Sequence, residues 1–134
     1  MSRRLAGCVF ILVATVSSAA HAAWDPQALG KENTLEFLTV GPEEGEHWST
    51  VWLVVVDGQV YIRLGSRAAD RMTKNTTSPI VKVRIAGQEF DRVKAEPAPD
   101  KAVPVANAMG EKYWSDVLIR HFNHPLTMRL MPAQ

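Results

Sequence analysis

Apolar and polar positions alternate with a period of two in several short stretches of the chain, separated by glycine, proline and aspartate. Residues 34–40 (TLEFLTV) read as a first strand, and residues 41–45, with Pro42, as a charged loop or wide turn. Residues 50–56 (TVWLVVV) form a nearly unbroken β-branched and aromatic run, the pattern of a central strand buried on both faces. Asp57 and Gly58 supply a tight turn into residues 59–64, where Val60, Ile62 and Leu64 alternate with Tyr61 and Arg63. Val81, Val83 and Ile85 alternate with Lys82 and Arg84, and the Ala86-Gly87-Gln88 turn leads to a further strand over 89–96 that weakens at Pro97 and Pro99.

Helical signals are fewer. Ser66 is placed to cap a helix over 68–75, with Asp70 in its first turn and too few apolar residues to contribute to a core. Asp100 is placed to cap a helix over 101–113, with Pro104 near its start. Residues 114–134 carry Val117, Leu118, Ile119, Phe122, Leu126, Met128, Leu130 and Met131, too apolar for a free tail, and are expected to return as a helical segment to the core or to a partner subunit. About five short strands in so small a mass close more readily than they lie open, because closure protects their edges. The expected fold is mainly β with flanking helices, a small β-barrel over 34–134 preceded by a tether over 23–33 whose Trp24 is available to pack on the barrel.

Arg3 and Arg4, an apolar run over 5–16 and Ala20-His21-Ala22 read as a signal peptide over 1–22. The run is too short to span a bilayer stably, so the expected location is the periplasm or the exterior. Cleavage after Ala22 would remove Cys8, the one cysteine, and with it disulfide and thiolate chemistry. It would also remove two of the 15 lysines and arginines, leaving 13 against 14 acidic residues. That balance gives no global electrostatic attraction for nucleic acid. His121 and His124 lack an acidic third ligand at metal-binding spacing, and Ser49, His47 and Asp57 lack the nucleophile elbow of a hydrolase, so no metal site and no catalytic triad are expected.

The order of elements resembles the split-barrel flavin-binding superfamily, which includes pyridoxamine-phosphate oxidases and deazaflavin-dependent reductases. The likeness rests on WSTVWLVVVDGQVYIRLG (48–65), GSRAADRMTKNTTSP (65–79) and IVKVRIAGQEFDRVKAEP (80–97), and covers about residues 35–113. It implies a split β-barrel, commonly a homodimer, holding flavin mononucleotide (FMN) or a deazaflavin. Cofactor phosphate contacts would fall to Arg63, Ser66, Arg67 and Arg71, with Lys74 nearby. The ring would lie along Trp48, Ser49 and Thr50, toward Trp52. Guanidinium forks and helix amides are suited to phosphate, whereas Glu43, Glu44 and Glu46 make the 41–47 loop a poor neighbour for it. Oxidoreductase activity on an unspecified substrate and cofactor-free binding of a small ligand or protein in the periplasm both remain open at this point. In the second case the arginines would be scattered, and Phe122, Leu126, Met128 and Leu130 would form an exposed patch.

Overall fold

A computed structural model describes residues 23–113 and 126–133; the signal-peptide reading lies outside them. Six antiparallel strands close into a barrel in the order β1-β2-β3-β6-β5-β4. They are β1 (Thr34–Gly41), β2 (Gly45–Val56), β3 (Gln59–Leu64), β4 (Ile80–Ile85), β5 (Gln88–Pro97) and β6 (Leu126–Pro132). Among the described residues three α-helices flank them: α1 (Pro26–Leu29), α2 (Ser66–Lys74) and α3 (Ala102–Lys112). Among the described residues no helix is long and apolar enough to cross a membrane.

The turns follow from their residues. Asp57 (φ 50°) and Gly58 (φ 73°), then Ala86 (φ 54°) and Gly87 (φ 74°), all have positive φ, so both two-residue hairpins twist with their strands. Of the two readings of residues 41–45, the turn holds: Gly41 pairs with Gly45, and β1 and β2 make one long hairpin. Residues of one parity point inward and fill the barrel, with Phe37, Leu53, Val60, Ile62, Leu64 and Val83 fully buried. Val54 and Tyr61 point outward but are buried too, because α3 lays Val105 and Met109 over them. Double-sided burial of β2 is therefore confined to the stretch under α3.

Several expectations are corrected. The 23–33 stretch follows the packed alternative and not the free tether: Trp24 packs edge-on against Phe90 with ring centroids 5.1 Å apart, and Leu29 joins the barrel core. Trp24→Ala is expected to cost about 2 kcal/mol, below the range for a fully buried tryptophan because Trp24 is half-buried; the midpoint of urea unfolding measures it. The α2 helix does contribute to the core, through buried Met72 and the flanking Ala68 and Ala69. Its N-cap is Gly65, and Ser66 is its first helical residue. Asp100 lies in a 3-10 turn (Pro99–Lys101) that runs into α3, and its side chain caps nothing. Residues 126–132 are a strand and not a helix: Leu126, Met128 and Leu130 recur every second residue and face the core, while β6 pairs with β3 on one side and β5 on the other. Residues 114–125, including His121, Phe122 and His124, lie outside the described residues.

Candidate functional site

The barrel is split between β2 and β3. They pair from Val56 and Gln59 only as far as Leu53 and Ile62. Beyond that point β2 continues along β1 to Gly45, while Arg63 and Leu64 of β3 pair only with Thr127 and Leu126 of β6. The backbone N–H of Leu53 donates to the Asn33 carbonyl on the β1 side. Because antiparallel backbone groups alternate in direction, the N–H and C=O groups of Thr50 and Trp52 point the other way, into the split.

A cleft of about 550 Å³ occupies this opening. Thr50 and Trp52 of β2 line it on one strand, Arg63, Ser66 and Arg67 at the end of β3 and the start of α2, and Thr34 and Met109 also border it. Gly65, with extended backbone, ends β3 and starts α2 without any side-chain cap, and the first hydrogen bond of the helix runs from the Ala69 N–H to the Gly65 carbonyl at 2.8 Å. The amides of Ser66, Arg67 and Ala68 thus have no partner within the helix and, with the helix dipole, favour an anion. Five residues singled out from the sequence, Thr50, Trp52, Arg63, Ser66 and Arg67, meet here.

Three others go elsewhere. Arg71 makes a two-pronged bond to Glu44, with its Nε and Nη2 3.0–3.1 Å from the carboxylate oxygens. That hydrogen bond holds the Glu44 carboxyl below its ordinary pKa and raises that of Arg71. Both residues border a second concavity with Asp70 and Lys74, and those two are themselves paired at 3.0 Å. The acidic loop therefore faces this concavity and neutralises Arg71 there, so it does not oppose an anion in the cleft. Trp48 shares the outer face of β2 with Thr50 and Trp52, but the Arg84 guanidinium lies 3.8 Å over its ring. Ser49 has the opposite parity, and its buried Oγ has no hydrogen-bond partner among the described residues. It cannot act on the surface that Thr50 presents. His47 approaches Glu44 at 3.6 Å, and no group of three metal-ligating side chains occurs among the described residues.

Sequence reasoning missed a clamp at the end of α3. The Lys112 ammonium donates to the carbonyls of Gly30 (3.0 Å), Glu32 and Leu53 (3.1 Å), which engages all three of its protons. The Tyr113 hydroxyl lies 2.6 Å from the carbonyls of both Asn33 and Leu53, and its ring stacks on Trp52 at 4.6 Å and 15°. A cation in the last turn of α3 was the only signal. Burial pushes the Tyr113 phenol up to about 12 from an ordinary 10.0, while burial lowers the Lys112 pKa.

A folded-state pKa raised above the unfolded value means that the folded protein holds the proton longer. The contribution of Tyr113 is then full below pH 10 and is lost as the pH rises through about 12. Lys112 contributes an opposite slope, since burial disfavours its charged form. Wild type is expected to lose more stability than Tyr113→Phe between pH 9.5 and about 12; paired urea titrations check it.

No protein-family model matches this chain, and no curated protein sequence is significantly similar to it. Solved structures do share its fold. The heme storage protein HutZ from Vibrio cholerae aligns with a TM-score of 0.61 at 19% identity, over 81% of this chain and 87% of that one. An FAD-binding protein from Mesorhizobium loti aligns at 0.55 and 12% identity, over 81% and 86%. An F420-H2-dependent reductase aligns at 0.52 and 14% identity, over 74% and 94%. The chain has the split-barrel fold of the pyridoxamine-phosphate-oxidase type.

Proposed function

We propose that this chain is an exported split-barrel protein that binds a phosphorylated flavin-like cofactor, FMN or a deazaflavin, in the cleft between β2 and α2. The observation that carries the reading is the convergence of Arg63, Ser66 and Arg67 with the opened edge of β2 at Thr50 and Trp52 around one cleft. Its volume lies within the range of small-molecule sites, about 300–1,000 Å³. The phosphate would sit on the two guanidinium groups and the amides of α2. The ring would lie along β2, where backbone donors and acceptors suit the polar edge of an isoalloxazine and Trp52 supplies an apolar surface.

The described residues lining the cleft include no carboxylate, imidazole or thiol, so hydride chemistry would come from the bound group while the chain binds and orients it. The solved structures named for FAD and for F420-H2 chemistry favour this ligand class. Export rests on the signal-peptide pattern of residues 1–22. We expect a homodimer, as a domain this small is readily completed by a second copy. The alternative of an apolar docking patch is disfavoured, since Met128 and Leu130 are 2% and 1% exposed.

The test is the absorbance spectrum of the mature protein purified from its native compartment, followed by titration with FMN, a deazaflavin and haem. A bound flavin chromophore, or saturable micromolar binding of FMN or the deazaflavin, is expected. A colourless protein that takes neither sinks the reading, and binding of haem alone replaces it with a haem site.

A further inference from the structure

We infer that Tyr113 is a positioning residue that, through its stack on Trp52, presets one wall of the cleft for a flat conjugated ring. The inference rests on the reading of the cleft as a cofactor site and adds how its ring half is selected.

The chain of contacts begins at the barrel rim. Strand β1 starts only at Thr34, so the carbonyls of Gly30, Glu32 and Asn33, and that of Leu53 in β2, lie where the β1–β2 ladder has ended. Lys112 and Tyr113, adjacent at the end of α3, fill this rim: three ammonium protons and one hydroxyl meet four carbonyls. The Tyr113 backbone N–H also closes the last turn of α3 on the Met109 carbonyl at 2.8 Å. The clamp therefore fixes two cleft-lining residues at once, Met109 through the helix and Trp52 through the ring stack.

The consequence is preorganisation. On an outward strand position an indole has several rotamers open to it. A nearly parallel phenol at 4.6 Å, itself held at its hydroxyl, favours the rotamer that stacks. A ligand ring arriving at Trp52 then does not bear the ordering of that side chain, a saving equivalent to about two- to ten-fold in Kd. A ligand's sugar phosphate meets Arg63, Arg67 and the start of α2 instead, and does not benefit. The clamp is thus a source of preference for ring-bearing over ringless phosphates.

The experiment compares wild type, Tyr113→Phe, Tyr113→Leu and Lys112→Met as mature proteins. FMN binding is followed by flavin fluorescence, and ribose 5-phosphate serves as the ringless competitor. Far-ultraviolet circular dichroism and urea midpoints establish that each variant is folded. Tyr113→Leu is expected to weaken FMN about five-fold and reduce the quenching of bound flavin, with the inhibition constant of ribose 5-phosphate unchanged. Tyr113→Phe, which keeps the stack, is expected to restore the quenching, and Lys112→Met to fall between the two. If Tyr113→Leu does not fold, Trp52→Leu replaces it with the same ring-specific loss expected. Equal FMN affinity and quenching in wild type and Tyr113→Leu overturns the inference alone, as does an equal loss of FMN and ribose 5-phosphate. Failure of wild type to bind FMN overturns the cofactor reading and this inference with it.

Discussion

Replacing Arg63 and Arg67 together by alanine is expected to weaken FMN binding about a thousand-fold, while Arg71→Ala leaves it within two-fold. A guanidinium on a phosphate makes charge-assisted hydrogen bonds worth about 1.5–3 kcal/mol. Each single change then costs about 10- to 100-fold in Kd. Arg63 and Arg67 border the cleft on either side of Gly65, one from the end of β3 and one from the first turn of α2. Arg71, one turn further along α2, is turned to the second concavity and engaged by Glu44. The contrast within one basic stretch separates a built phosphate site from general attraction to a cationic surface, for which the three arginines would act alike. Riboflavin, which lacks the phosphate, is expected to bind wild type and the double variant with similar affinity. Rising salt is expected to narrow the difference for FMN, since these side chains are near solvent. Isothermal titration at two ionic strengths measures all of these, and equal loss at Arg71 would remove the assignment.

How much of this was legible depends on which interaction fixes each element. The β2–β3 hairpin is local: Asp57 and Gly58 dictate the turn, and the alternation from Val60 to Leu64 dictates the face, so strand, register and orientation follow from adjacent residues. That locality also brought Arg63, Ser66 and Arg67 to one strand end in advance. Arg71 was already less well placed than Arg63 and Arg67, which sit at the strand end, but its actual partner, Glu44, lies 27 residues away and had no signal in the local spacing. Ser49 and Thr50 are neighbours in the chain and opposites in the sheet, and only the parity of the buried residues decides which one faces the cleft. Trp48 and Trp52 share a face, yet Arg84 takes one and Tyr113 the other. The clamp of Lys112 and Tyr113 left only the cation in the last turn of α3 as a signal, because its acceptors are backbone carbonyls, which carry no sequence signature. The largest misreading, of 126–132, had the apolar content right and the period wrong: a heptapeptide that fills a gap between two distant strands has no hairpin partner beside it to declare its register.

Leu130→Asp is expected to unfold the protein, and this is the strongest test of the closed barrel. Leu130 is 1% exposed, and its strand pairs with Val60 of β3 and Ala95 of β5, both in the core. Leu130→Ala removes packing worth about 2–5 kcal/mol. An aspartate there adds the desolvation of a carboxyl that the surrounding core residues cannot bond, several kcal/mol more. A domain of this size holds about 5–15 kcal/mol in total, so the combined loss reaches the whole. Loss of β6 would also leave β3 and β5 with unpaired edges, which associate with other chains, and aggregation is the expected fate. Arg129, the next residue, points the other way and bridges Tyr61 (3.1 Å) to Glu96 (2.9 Å) across the outside of the barrel. Arg129→Gln is therefore expected to lose only about 1 kcal/mol, as a polar side chain still reaches solvent. Circular dichroism and urea unfolding of the two variants give opposite answers if 126–132 were an exposed docking segment. In that case Leu130→Asp would keep the fold and improve solubility, and the inward parity of β6 would be refuted by a single substitution.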